Sequence, residues 1–277
     1  MARQEIFYRQ RRWAVAHGIK FVEGCSQTVE ENLFQPLTAT TQADYASGRG
    51  DGLGGATDFF NMRMFYSSSA LICNVFDYWC SQLLLGQPLT VLSTALGAPA
   101  PVKQMRFEQS YRTGLGDTPP YLDVVLQADG SKPFLIESQF TEPYNPHSPE
   151  DAPTKSYYPN SGELWGKYGL TRCEALARRI HGNEEQFFQL NVPQLLNRIL
   201  GILNIFQKDF TLLYLWYDHY SSEATDHRAE VNTIIHRLNG EIDFRTMTYQ
   251  ELFQKMQGDP TADEKYIAYL KERYFQG

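Results

Sequence analysis

The sequence predicts an α/β protein, and three observations carry that reading. A serine-opened apolar segment at 67–85 repeats its large side chains at helical spacing. Two runs of alternating character, 120–127 and 133–140, flank the turn signal ADGSK. A short apolar run at 210–218, FTLLYLWYD, reads as a strand buried on both faces.

The elements follow in order. Residues 2–16 form a short helix with Ile6, Trp13 and Val15 as apolar contacts and Arg9, Arg11 and Arg12 on a solvated face. The stretch 24–58 is polar, glycine-rich and weakly periodic, and reads as loop. It contains Gly50-Asp51-Gly52-Leu53-Gly54-Gly55, a literal GxGxxG. No apolar strand precedes it and no Gly-Lys-Ser/Thr follows, so no nucleotide cofactor is expected. Residues 1–60 are therefore an N-terminal extension with a glycine-rich loop, and 61–277 the main α/β domain. Helix 67–85 opens on serine and closes at Gly86, with Leu71, Val75, Trp79 and Leu83 four residues apart. Strand 103–113 points Met105, Phe107 and Tyr111 to one side. A proline-rich stretch at 143–163 separates the hairpin from a helix at 164–180. Helix 193–206 starts on a proline, helix 222–238 ends at Asn239-Gly240, and a strand at 243–248 precedes a polar helix at 261–275.

Bulk properties narrow the function. A net charge of −7 over 277 residues argues against a broad basic face gripping nucleic acid by charge alone. It leaves room for a local basic groove, or for acids neutralised by metal ions. The four cysteines form no CxxC or CxxH, so no zinc site is expected; they read as reduced core thiols of a cytoplasmic protein. No run of 18 apolar residues occurs, and no membrane is expected as a partner.

The hairpin carries the chemistry. Along 120–127, Tyr121, Asp123, Val125 and Gln127 share one face, and along 133–140, Leu135, Glu137 and Gln139 share one face. A two-residue turn would oppose Asp123 to Ile136 and mix polar with apolar faces. A three-residue turn, Asp129-Gly130-Ser131, sets Asp123 opposite Glu137, and the facing rule selects it. Opposed side chains lie about 5 Å apart at Cβ. Two carboxylates at that distance repel, so they require a cation, a shared proton or a solvated surface. A hard oxygen site for Mg²⁺ or Mn²⁺ meets the first condition, with the Ser138 backbone carbonyl and waters completing it. The alternative is a pair of exposed acids on a solvated strand. Gln194 and Asn197 open the apolar helix and could face the site, though a capping or core role is the plainer reading. His147, Lys155, Tyr157 and Tyr158 lie just after the hairpin and could line a groove. His219, His227 and His236 are too widely spaced for a metal motif, and Asp77 reads as a satisfied core acid beside Trp79.

Asp-x13-Glu-x-Gln on a hairpin, after a long helix and one strand, resembles the PD-(D/E)xK nuclease superfamily. The longer strings Ser67-Ser68-Ser69-Ala70-Leu71, Phe76-Asp77-Tyr78-Trp79, Pro120-Tyr121-Leu122-Asp123-Val124 and Glu137-Ser138-Gln139-Phe140-Thr141-Glu142-Pro143-Tyr144 look like those of a bacterial group of restriction-endonuclease-like proteins. In that group the last string typically reads Glu-Ser-Lys-Phe-Thr-Glu-Pro-Tyr. The resemblance covers roughly 65–218 and implies a restriction-endonuclease-like α-β-β-β-α-β core, a central mixed sheet flanked by helices, in a nuclease-like domain at 61–277. It implies Asp123 and Glu137 as metal ligands and Gln139 at the place of the motif lysine, and Glu108 could match an additional upstream acid. The implied function is magnesium-dependent hydrolysis of DNA. Because an amide carries no charge, the rival is a catalytically degenerate nuclease fold that binds DNA or a protein partner. A homodimer is left open.

Overall fold

The computed structural model describes residues 1–47, 61–99, 101–115, 119–145 and 164–276. The GxGxxG stretch and the group His147, Lys155, Tyr157 and Tyr158 lie outside the described residues.

The chain begins with α1 (Ala2–Ala16), a two-strand ribbon β1 (Phe21–Val22) and β2 (Cys25–Ser26), and α2 (Ala39–Ser47). Helix α2 corrects the expectation of loop throughout 24–58. Its sequence is mostly polar, but Thr41, Asp44 and Tyr45 bury a one-sided stripe. Asp44 holds it down by taking the Arg106 guanidinium and the Phe107 backbone N–H, the latter at 2.8 Å. Helix α3 (Ser68–Leu84) starts where Ser67 accepts the Ala70 N–H and ends where Gly86 takes φ +74°. A short helix, α4 (Thr90–Leu96), follows; at two turns it is too short for its apolar pairs, Val91 with Leu92 and Ala95 with Leu96, to stand out as a period.

Five strands form the sheet: β3 (Val102–Ser110), β4 (Tyr121–Ala128), β5 (Phe134–Gln139), β6 (Thr211–Trp216) and β7 (Asp243–Thr248), in that spatial order. The first three are antiparallel and β5–β6–β7 run parallel. Between β5 and β6 come α5 (Thr171–His181) and α6 (Val192–Phe206), and between β6 and β7 comes α7 (Ser222–Leu238). Helix α5 starts later than 164 because Gly169, at φ +64°, breaks the run after a single 3₁₀ turn. Helix α8 (Tyr249–Gln257), opened by the Thr248–Glu251 capping box, was not expected. Helix α9 (Glu264–Leu270) begins at its Asp263 cap rather than at 261, and passes into a π turn, Lys271–Phe275.

The hairpin has the register that the facing rule selects: Val124 pairs with Ile136, Val125 with Leu135 and Leu126 with Phe134. Gly130 takes φ +66° and Ser131 N–H closes the turn on the Ala128 carbonyl at 3.3 Å. Both sheet faces are covered, giving three layers. Val124, Ile136, Leu213 and Leu215 share one core with α3, α8 and α9; Val125, Leu135, Leu212 and Tyr214 share another with α5, α6 and α7. Helix α3 therefore packs where expected against Val124 and Ile136, but Leu122, expected beside them, is enclosed by the second core. Ala2, Ile6, Leu33 and Tyr45, all within 1–60, belong to the first core.

Candidate functional site

At Glu137 the polar face of the hairpin is covered by α6, while Asp123 and Gln139 stand half-buried at the edge of a cleft. Glu137 stands on β5, one face with Leu135 and opposite Tyr214 of β6, and is only 1% exposed. Arg198 of α6 places Nη1 2.5 Å from Glu137 Oε1, and the Gln139 amide donates to the same oxygen at 2.6 Å. Arg198 Nε also donates to the Tyr121 carbonyl at 2.8 Å, so the guanidinium ties β4 to β5. Glu137 Oε2 is buried with no hydrogen-bond partner. Burial pushes the Glu137 carboxyl well above the usual carboxylate range. The Arg198 charge opposes that rise, and the Asp123 and Glu108 charges add to it.

Asp123 sits beside Glu137 through the backbone: its Oδ2 accepts the Ser138 N–H at 2.6 Å. The Ser138 hydroxyl meets the Tyr249 hydroxyl at 2.5 Å, anchoring this strand position to α8 on the other face. Glu108 lies on β3 between two regular pairs, Phe107 with Val124 and Gln109 with Leu122. Its φ is +47°, a conformation L residues avoid, and it lines the same cleft as Asp123. Such strain inside a strand re-aims a side chain at a cost of about 1–3 kcal/mol.

The cleft has a volume of about 1090 Å³ and is lined by Glu108, Asp123, Ser138, Gln139 and Arg198, with Arg3 and Arg112 at its walls. Three of the four strings that carry the resemblance meet here, while Phe76-Asp77-Tyr78-Trp79 lies in the core. Ser67, Ser68 and Ser69, at the start of α3, line the cleft. Glu142 ties Ser68 to the end of the motif strand: its Oε1 accepts from the Ser68 hydroxyl and its Oε2 takes the N–H groups of Phe140 and Thr141 at 2.8 and 3.0 Å. Gln194 and Asn197 also line the cleft, and Asn191 caps the helix by accepting the Gln194 N–H at 3.0 Å.

The structure thus brings Asp123, Glu137, Ser138, Gln139 and Glu108 to one place. Arg198 joins them, and the hairpin reading missed it. Its signal is a polar stripe, Asn191, Gln194, Asn197 and Arg198, at helical spacing along an otherwise apolar helix. Asp77 is a satisfied core acid, accepting the Thr38 N–H at 3.1 Å and the Thr38 hydroxyl at 2.9 Å. His219 meets Glu5 and His227 meets the Tyr214 hydroxyl, so neither touches the cleft acids.

Among the described residues no group of three or more His, Cys, Asp and Glu is arranged to hold a metal ion. Two carboxylates, one with an unpartnered buried oxygen, fit the sparse donor set of a hard cation that keeps most of its waters. The set brings none of the Cys or His ligands on which zinc sites are mostly built.

Among the described residues no helix is long and apolar enough to cross a membrane. A family model described as restriction endonuclease associating with ARP matches residues 2–275. No curated protein and no solved structure matches the chain.

Proposed function

Because the chain belongs to the REase-ARP family, restriction endonucleases associating with ARP, and carries the α/β core of a restriction-endonuclease-like fold, we propose that it hydrolyses phosphodiester bonds of DNA with Mg²⁺ or Mn²⁺. The observation that carries the proposal is the juxtaposition of Asp123, which lines a polar cleft, with the buried, half-satisfied Glu137 just behind it. Asp123 and Glu137 would hold the ion, with the Ser138 carbonyl and Glu108 as further oxygen donors. The ion, when bound, supplies a Lewis acid for a phosphate oxygen and an activated water.

The chain's own groups do the rest. Gln139 donates one amide hydrogen to Glu137, which fixes the carboxylate's rotamer, and its amide orients water without carrying charge. The positive charge that the motif lysine would bring stands instead on Arg198, and a guanidinium suits a phosphate through two parallel hydrogen bonds. Arg3 and Arg112 line the same cleft and can position neighbouring phosphates.

A second reading, a degenerate nuclease fold that binds DNA or a protein partner, draws on one observation. Glu137 is already neutralised by Arg198, as in a site that has traded its metal for an internal ion pair. Nicking of supercoiled plasmid by purified protein separates the two. The nuclease reading expects slow cleavage in Mg²⁺ or Mn²⁺ that Glu137→Ala and Asp123→Ala abolish. Silence in both metals, for the wild type and for Gln139→Lys, would leave the binding module.

A further inference from the structure

Glu137 does not form the wall of the main cleft. It lies behind it and borders a separate void of about 10 Å³, close to the space one water needs, together with Gln189, Tyr214 and Arg198. Two buried acceptors at this void have no hydrogen-bond partner, Glu137 Oε2 and Gln189 Oε1. The oxygen of Glu137 that is satisfied is held twice over, by Arg198 at 2.5 Å and by Gln139 at 2.6 Å. Arg198 borders both the void and the main cleft, and it is itself only 12% exposed. It therefore stands between the buried acid and whatever enters the cleft.

We infer that Arg198 is a latch: its guanidinium occupies Glu137 until a nucleic-acid phosphate draws it into the cleft, so that divalent cation and nucleic acid bind cooperatively. The inference rests on the nuclease reading above. Its physical basis is competition. A guanidinium and a divalent ion cannot both sit against one carboxylate without like charges lying a few ångströms apart in a water-poor site. A phosphate in the cleft offers the guanidinium an anion matched to its fork. It also leaves the Glu137 oxygens to the metal. Besides Glu137, Arg198 holds the Tyr121 carbonyl, a neutral acceptor that a charged phosphate outcompetes. Since coupling between two ligands is reciprocal, the metal must tighten DNA as much as DNA tightens the metal.

The test uses the full chain and reads binding. Mn²⁺ affinity is measured by titration with paramagnetic detection. DNA affinity is measured by anisotropy of a labelled short duplex whose linkages are phosphorothioates, with and without Mn²⁺. The latch expects Arg198→Gln to bind Mn²⁺ at least tenfold more tightly than the wild type, with the gain lost in Arg198→Gln/Glu137→Gln. It expects Mn²⁺ to tighten duplex binding by the wild type at least fivefold, and that factor to fall toward one in Arg198→Gln. If Arg198→Gln does not fold, Arg198→Lys keeps a charge for Glu137 but lacks the fork that spans carbonyl and carboxylate. It should then bind Mn²⁺ about threefold or more tighter than the wild type. Equal Mn²⁺ affinity in wild type and variants, lost on Glu137→Gln, overturns the latch and leaves the nuclease reading standing. No Mn²⁺ binding by any of them overturns both.

Discussion

Replacing Gly201 by alanine probes whether α6 is seated where it must be for Arg198 to reach the hairpin. Gly201 is buried on α6, one turn beyond Arg198. A Cβ built there would lie 2.3 Å from the Tyr111 carbonyl oxygen and 3.1 Å from its carbonyl carbon. A normal carbon–oxygen contact is roughly 3.3 Å, so the helix must retreat by about 1 Å from a backbone atom that cannot rotate aside. Alanine in a helix gains about 1 kcal/mol over glycine, and overpacking of this kind costs about 1–3 kcal/mol. The net expectation is a loss of about 1 kcal/mol, against a gain of similar size at an open helical site. The same retreat acts on Arg198 and would lengthen its 2.5 Å contact with Glu137 toward about 3.5 Å, beyond good hydrogen-bond length and so weaker. Urea melts of wild type and Gly201→Ala measure the first effect, and plasmid nicking measures the second. Gly166→Ala, where an added Cβ meets nothing within 4 Å, serves as the control. A Gly201→Ala protein about 1 kcal/mol more stable than wild type, with unchanged nicking, would refute the close seating of α6.

Four further outcomes are expected. Trp79, 5% exposed and edge-on to Tyr78 and Tyr266, should cost about 3–5 kcal/mol when cut to alanine; a loss below about 1 kcal/mol in denaturant melts would place α3 elsewhere. Glu108→Gly should leave stability unchanged or raised by up to about 1 kcal/mol, because glycine accepts φ +47°, while Mn²⁺ affinity falls; a stability loss above about 1 kcal/mol, with no change in affinity, would make Glu108 a packing residue. Burial holds His227 at about 3, below its ordinary 6.5, with Arg228 adding to the effect. The unfolded chain then binds the extra proton, so this contribution is complete above about pH 6.5 and is lost as pH falls toward 3, at up to about 1.4 kcal/mol per unit. His227→Phe should flatten that part of the stability profile, and an identical slope in both proteins between pH 6 and 4.5 would contradict the burial. Gln139→Lys should match or exceed wild-type nicking, since it returns the motif's charge beside Glu137; nicking tenfold slower than wild type would mean that Arg198 and a lysine cannot share the carboxylate.

The alternation of side chains along 120–127 and 133–140 decided the register of the hairpin, and with it the neighbourhood of Asp123 and Glu137, before any long-range contact is considered. A strand has a period of two, so a slip by one residue would have turned every polar side chain of that face into the apolar core. The serine-capped helix α3, the buried strand β6 and the amphipathic α7 were legible for the same reason: their side-chain periods match their own geometry. Where tertiary partners set the outcome, the local pattern was silent. Helix α2 is polar in composition and owes its place to Asp44 gripping Arg106 across 62 residues. The left-handed backbone of Glu108 stands between two regular strand pairs, and no propensity encodes it. Above all, exposed acids on a solvated strand stayed open as the alternative to a metal site, and the burial of Glu137 was decided by α6 lying over it. That arrangement depends on how closely Gly201 lets a helix approach Tyr111, some 90 residues earlier in the chain, and it alone delivers Arg198 to Glu137. Spacing along the chain can identify which acids stand together; the charge that faces them comes from a separate element, because a side chain's reach across a packed interface depends on the distance between backbones.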